Sequence, residues 1–389
     1  MKIDTRDMTQ GKLGRQILLF SLPLMASNLL QVLFNMADVA VVGRYASSSA
    51  LGSVGSTTIL IGLFTGFLIG MGSGINALLA RYLGAKDREN IRTTVHSALL
   101  LIVGMGVLLL LLCVSLGGWF LTLLGTKEEL LDGAALYLRI CALGMPALAV
   151  YNFGNAVLSA AGDTKTPLFY LTLAGVINVI LNLVFVLGFE MAVDGVAWST
   201  IISQYISAFL ILRRLVRCEE DYRLQRQSLR LDAHKVRSIL GLGIPAGLQN
   251  AIFSIANLFV QAGVNSFDAV MVEGNAASAN SDSLVYGVMG AVYMACSTFI
   301  AQNYGARKKE RILQSFSLSL AYSFVSGALL GGALVVFGRA FLGLFTHDAA
   351  VIDAGMIRLT IMGFSYPFSA FMDCTIAASR GLGKSLVPT

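Results

Sequence analysis

Two carboxylates, Asp38 and Asp373, lie inside runs that otherwise read as membrane-spanning. A charge at bilayer depth costs a few kcal/mol even on lenient insertion scales, about 2.5–3.5, so it is kept where it faces a cavity or a partner. Each is therefore a candidate to take up a proton or hold a monovalent cation. The blander reading of Asp38 is an acid near the outer end of its helix, reached by water or paired with Arg44. Its sequence companions favour the first reading. Asn178 and Asn182 are one turn apart on a later helix, so their amides share a face. Thr200 follows in Ser199-Thr200-Ile201-Ile202-Ser203-Gln204. One carboxylate, two amide carbonyls and one hydroxyl make an oxygen cluster of charge −1 that suits a hard monovalent ion.

The second half of the chain offers Asp373 with Gln249, Asn250, Ser254 and Asn257, but no acid on the helix carrying the amides. A complete second cation site is not expected there. Asp282, between Ser281 and Ser283, reads as a solvated helix cap. The stretch Ala378-Ser379-Arg380-Gly381-Leu382-Gly383-Lys384-Ser385 imitates a phosphate-binding loop, yet that loop needs a strand before it and a helix after it. Here a membrane helix precedes it. Catalytic chemistry finds no other footing: there is no HExxH, no GxSxG and no metal-spaced histidine cluster, and His96, His234 and His347 are scattered. An intramembrane enzyme would rest on two aspartates alone, and no cofactor is expected. Cysteines 113, 141, 218, 296 and 374 lack CxxC spacing, and the four inside apolar runs, all but Cys218, read as small buried hydrophobes.

The elements that must position these residues are helices in lipid. With 56% hydrophobic and 13% charged residues, the composition is far from that of soluble domains. Uncharged runs at 45–80, 97–116, 140–162, 168–189, 195–212, 238–267, 283–306 and 315–338 mostly exceed the roughly 18–20 residues that cross a bilayer. Runs 16–43 and 359–379 each hold a single charge, which brings the expected total to ten helices. Basic residues alternate sides: segments 1–15, 81–96, 163–167, 213–237, 307–311 and 380–389 carry 23 of the 28 Lys and Arg. That bias places the N-terminus in the cytoplasm. It also explains the net charge of +6 without nucleic acid. The segment from Arg213 to Arg237 suits anionic lipid headgroups.

The chain also repeats itself at an offset of 221 to 222 residues. Pro23 answers Pro245, Ala80 to Lys86 answers Ala301 to Arg307, and Asp132 answers Asp353. Met145-Pro146 answers Tyr366-Pro367, and Gly162-Asp163-Thr164 with Pro167 answers Gly383-Lys384-Ser385 with Pro388. An even number of helices per repeat makes the repeat parallel, with a site expected between two bundles. The predicted fold is an all-α polytopic membrane protein of two parallel-repeat lobes. Residues 1–215 form helices 1–6, 216–237 a basic cytoplasmic linker, and 238–389 helices 7–10. Residues 168–212 have no counterpart, so six plus four helices are seen where the repeat asks for six plus six. Some polar groups on helices 7 and 8, such as Gln249, Asn250 or Asn257, are accordingly expected to lack helix partners.

At these residues a resemblance becomes specific. Asn35-Met36-Ala37-Asp38-Val39-Ala40-Val41-Val42-Gly43, the paired Gly84-Ala85 and Gly305-Ala306 turns, Pro245-Ala246-Gly247-Leu248-Gln249 and Ala161 to Pro167 resemble the multidrug and toxic compound extrusion (MATE) transporters of bacteria. The resemblance implies two six-helix lobes and export of organic, often cationic, compounds across the plasma or inner membrane by alternating access. A proton or sodium gradient would drive the antiport. It also implies a first-lobe cation site at Asp38, Asn178, Asn182 and Thr200. Asn182 stands where some relatives have a second acid, which leaves Asp38 as the sole titrating group. Asp373 occupies a position tied in some relatives to cation coupling. The expected partners are a small organic substrate and lipid, and the expected state is a monomer. A lipid-linked oligosaccharide flippase of similar plan is the alternative, set back because no Lys or Arg lies inside any predicted span.

Overall fold

The computed structural model describes residues 7–45, 48–124, 126–189, 191 and 193–388. They form eleven helices: α1 (Leu13–Tyr45), α2 (Ser48–Ala85), α3 (Arg88–Leu123), α4 (Glu128–Leu143), α5 (Met145–Ala160), α6 (Lys165–Leu183), α7 (Val193–Arg217), α8 (Ala233–Val264), α9 (Ala269–Gly305), α10 (Lys309–Leu342) and α11 (Ala349–Gly381). Nine of these described helices are each long and apolar enough to cross a membrane. Counting the pair α4–α5, bent by 44°, as one broken span gives a tenth. In lipid only hydrogen-bonded helices or closed barrels satisfy the backbone, and the described crossings take the first solution.

The helices outrun the uncharged stretches that announce them. Several begin on an aspartate whose carboxylate accepts a backbone N–H: Asp87 from Asn90, Asp232 from Lys235, Asp268 from Met271 and Asp348 from Ala350. The bonds from Asn90 hold the Asp87 carboxyl below its ordinary range. The run expected as one helix over 140–162 is instead part of two helices that meet at Gly144. Pro146 has no N–H to give, and the first turn of a new helix tolerates that loss. Its repeat partner Pro367 sits inside the continuous α11.

The internal repeat is visible in the backbone. The two described non-glycine residues with positive φ are Lys86 (56°) and Arg307 (58°), 221 apart; Gly162 (86°) and Gly383 (83°) match in the same way. A Cβ on Gly106 would meet Pro146, and one on Gly327 would meet Pro367, so each half seats its third crossing against the same proline.

The halves interlock rather than merely touch. α1 packs on α9 and α6, while α8 packs chiefly on α2. Asn28 Nδ2 donates to the Gly287 carbonyl at 2.8 Å, and Asn250 Nδ2 donates to the Gly66 carbonyl at 3.0 Å. These are the same bond, once in each direction across the pseudo-twofold. Gly70 and Gly74 bring the α2 backbone against Gly247 and Gly243 of α8, where a Cβ would stand 2.3 and 2.6 Å from a backbone nitrogen. Small residues permit such approach, and dispersion then holds helices that lipid does not drive together. At the ends of α2 and α9, a Cβ on Gly84 would fall 1.9 Å from the Gln302 carbonyl oxygen, and one on Gly305 1.9 Å from that of Arg81.

Candidate functional site

The first-half site is built by three helices. Phe34, Asp38 and Val41 share one face of α1 at intervals of four and three residues. Phe34 presses on Gly175 of α6, where any Cβ would overlap its ring, and Val41 packs with Val186 and Val196. These two apolar contacts fix the height and rotation of α1, and Asp38 between them meets Asn182. Directly after Asn182, α6 changes to a π-helical turn over Val184–Gly188. Such turns are rare and concentrate at functional sites.

Asn182 Nδ2 donates to Oδ1 of the Asp38 carboxylate; the Thr200 hydroxyl lies 3.5 Å from Oδ2 and nearer, at 2.9 Å, to the Val196 carbonyl. Asn178 Nδ2 donates to Thr200 Oγ1 at 3.3 Å, and its own Oδ1 lies 3.5 Å from Asn182 Nδ2. Asn178 and Asn182 are buried. The four residues singled out in the sequence are thus brought together. Ser199 joins them: its hydroxyl donates to Asn182 Oδ1, which fixes the amide orientation, and also reaches the Val196 carbonyl at 2.8 Å. Ser199 was legible only as one polar residue beside Thr200; nothing in the spacing showed that it would hold Asn182. On α4, Tyr137 and Cys141 lie near enough to feel the Asp38 charge. The side chain of Arg44 lies outside the described residues.

The second half does not assemble the set proposed for it. Asn250 is used by the Gly66 carbonyl, Gln249 Oε1 accepts from Arg380 Nη2 at 3.0 Å, and Asn257 is exposed. Gln249 and Asn250 therefore have partners, against the expectation that they would lack them; the partners come from α11 and α2. Asp373 Oδ2 is buried without a hydrogen bond among the described residues, near Tyr293.

Two readings of charge need correction. Asp282 is not a solvated cap but lies inside α9, where Arg358 Nη2 donates to Oδ2 and the Tyr366 hydroxyl donates to Oδ1. Arg358 Nη1 also donates to Asn275 Oδ1. Nor are the spans free of cations: Arg358 and Arg380 both belong to α11. An uncharged-run criterion ends a span at the first charge, whereas a paired charge need not end the helix.

With fold and site in hand, the class is plain: a polytopic helical transporter built from a duplicated bundle. The MatE family model matches residues 23–184 and 245–389, and the chain belongs to that family, the multidrug and toxic compound extrusion transporters. It is 29% identical to the probable multidrug resistance protein YpnP of Bacillus subtilis, over 93% of this chain and 81% of that one. It is 28% identical to the FAD transporter of Shewanella oneidensis, over 93% of this chain and 81% of that one. Among solved structures, an outward-facing multidrug resistance MATE transporter of the MOP superfamily superposes with a TM-score of 0.93 at 20% identity, covering 100% of this chain and 87% of that one. The sequence resemblance to MATE transporters is confirmed, as are the all-α polytopic fold and the assignment to membrane efflux transport.

Proposed function

We propose that the chain exports small organic, often cationic, compounds by antiport against a proton or sodium gradient, with Asp38 as the coupling carboxylate. Residues 1–215 and 238–389 are the lobes that rock against each other, and 216–237 is the linker between them. The protein works as a monomer in the plasma or inner membrane with its N-terminus in the cytoplasm. The observation that carries this reading is the three-helix grip on Asp38: a carboxylate on α1 held by Asn182 of α6 and Thr200 of α7.

Such a grip depends on charge state. The ionised carboxylate only accepts hydrogen bonds, and the Asn182 amide presents its N–H₂ to match. Protonation turns one Asp38 oxygen into a donor that needs an acceptor. A half-turn of the Asn182 amide supplies one, at the cost of the bond from Ser199. A bound sodium ion makes the same demand, drawing carbonyl oxygens from Asn178 and Asn182 and the Thr200 hydroxyl toward Asp38. Loading therefore repacks α1 against α6 and α7, and unloading reverses the change. A ligand shifts a two-state equilibrium only by its differential affinity for the two states, and this cluster offers one. Asp373 is the second-lobe candidate for ion coupling; Gln249, Asn250 and Asn257 do not gather around it. The experiment is gradient-driven dye export by purified protein in vesicles, for wild type and Asp38→Asn. The variant is expected to bind dye but not to export it against a gradient. Equal gradient-driven export by both would contradict the reading.

A further inference from the structure

The segment leading into each half is tied down on the other half. Ahead of α1, Lys308 Nζ donates to the Thr9 carbonyl at 2.7 Å, and Arg311 donates to the carbonyls of Met8 and Gly11, each at 3.0 Å. Asn303 Nδ2 also reaches the Met8 carbonyl, at 3.3 Å. At the start of α8, Lys235 Nζ donates to the Tyr82 hydroxyl at 2.9 Å and to Asn90 Oδ1. Tyr82 and Asn90 are the repeat positions of Asn303 and Arg311, at an offset of 221. The two ties differ in chemistry. The first is made by an amide, a lysine and an arginine. The second also runs through a histidine, the side chain whose ordinary titration falls nearest neutrality.

Arg88, Arg92 and His96 follow one another at intervals of four along α3, so they share a face. Each holds the linker. Arg88 pairs with Asp221 at 3.4 Å, and Arg92 Nη2 donates to Gln225 Oε1 at 2.7 Å and to Ser228 Oγ. His96 is fully buried. Its Nδ1 lies 2.7 Å from the Arg92 carbonyl, which can only accept, and its Nε2 lies 2.9 Å from the Gln225 backbone nitrogen, which can only donate. That pair of partners requires a neutral ring with its one proton on Nδ1. Beside it, Ser97 Oγ donates to the Arg230 carbonyl at 3.2 Å and accepts from the Asp232 backbone N–H at 3.0 Å. From Gln225 to Asp232 the linker is thus bonded to α3, directly ahead of the helix that packs on α2.

A second proton on His96 sets a donor against the Gln225 N–H, and nothing nearby rewards it. One turn back on α3 stands the Arg92 guanidinium. In the linker, Asp221 is engaged by Arg88, and Arg226 and Arg230 are cations. On the α8 side, Asp232 accepts the Lys235 N–H, and Tyr82 of α2 is taken by the Lys235 ammonium. Asp163, between α5 and α6, accepts from Thr166. Neither these acids nor Glu219 and Glu220 form an ion pair with His96; the described pairs are Arg88–Asp221, Arg339–Asp353 and Arg358–Asp282.

We propose that His96 is a pH-sensitive latch on the linker. As a neutral imidazole it pins the linker to α3 and holds the entry of α8 against the first half; on protonation it lets both go. The bond needs the unprotonated nitrogen, so the latch is closed at high pH and opens as pH falls. Acid on that face loosens the closure between the halves there. The inference takes lobe motion and the cytoplasmic side from the transport reading, but the latch itself stands on the folded chain alone.

The test is residue-resolved amide hydrogen exchange on the purified full chain in nanodiscs, where both faces meet the same buffer, at about pH 8 and about pH 5.5. Protection factors remove the intrinsic effect of pH on the amide and report local opening. In wild type the Gln225 amide is expected to lose protection about ten-fold at the acid pH, while α9 keeps its own. His96→Ala should show the low value at both. His96→Gln keeps an acceptor that does not titrate, and should change by less than about two-fold. Unchanged protection of Gln225 in wild type, an equal loss in α9, or the full acid loss in either variant overturns the proposal. No gradient or orientation enters the measurement, so a latch that behaves as stated in a chain without driven export would sink the transport reading alone.

Discussion

The two halves share a backbone and differ in what they charge. In the first half the polar chemistry gathers at Asp38, in a bonded cluster on α1, α6 and α7. The repeat position of Asp38 is Val260, which is exposed. In the second half the polar chemistry moves to α9 and α11. There Ile61 is answered by Asp282, Tyr137 by Arg358, Asn152 by Asp373 and Ser159 by Arg380. Duplication kept what holds the helices together, namely the glycine crossings, the asparagine-to-carbonyl bonds and the proline seats. It left free what the lobes do with charge. One lobe carries a carboxylate gripped by neutral donors; the other carries a closed ion pair and a guanidinium without one.

The comparison breaks most visibly at the ion pair. Asp282→Ala should cost about 3–5 kcal/mol of stability, because it leaves Arg358 partly buried and unpaired. Replacing both with Asp282→Leu and Arg358→Met should cost much less. Thermal unfolding in detergent measures this, and a double variant as unstable as Asp282→Ala would show that more than charge pairing is lost. Next in size are the glycine crossings. Gly84→Ala and Gly305→Ala should each destabilise by about 1–3 kcal/mol, since overpacking here meets backbone rather than a movable side chain. Because the crossing is reciprocal, their effects should agree; a clear difference between them would separate the halves structurally. The amide pair is smaller again: Asn28→Ala and Asn250→Ala should each cost about 0.6 kcal/mol, the average for bonds between membrane helices, and no more than about 1.7.

The smallest effect sharpens the same picture outside the membrane. Asp232→Ala removes the cap of α8 and should destabilise the fold by the smallest margin of the set. The backbone N–H of Lys235 holds the Asp232 carboxyl below its ordinary pKa. Its contribution is therefore complete above the unfolded value, about 3.9, and fades as pH falls through the lower folded value. Stability of wild type and Asp232→Ala should converge on acidification; a gap that persists at low pH would assign the effect to packing.

Much of this was legible in the chain. The offset between Pro23 and Pro245 foretold two matching bundles, and the spacing of Asn178, Asn182 and Thr200 foretold a polar face near Asp38. These are local or periodic signals, carried by residue type and interval. What stayed hidden depends on tertiary pairing. Asp282 reads as an exposed cap until Arg358, 76 residues later, is found against it. Asn250 reads as a ligand until Gly66 offers its carbonyl, and Arg380 reads as a cytoplasmic residue until α2 and α8 close over it. The break at Gly144 was masked because the apolar run continues through it.

The central claim, that coupling resides in the first-half carboxylate, is tested most directly by ion movement. Purified protein in vesicles is given a substrate gradient with no initial ion gradient, and lumenal proton and sodium activity is followed as substrate crosses. The account predicts counter-movement of one of these ions in wild type, and in Asp38→Asn substrate flux with no accompanying ion flux. Undiminished substrate-driven ion movement in Asp38→Asn would contradict it and shift the coupling site to the second half, where Asp373 stands.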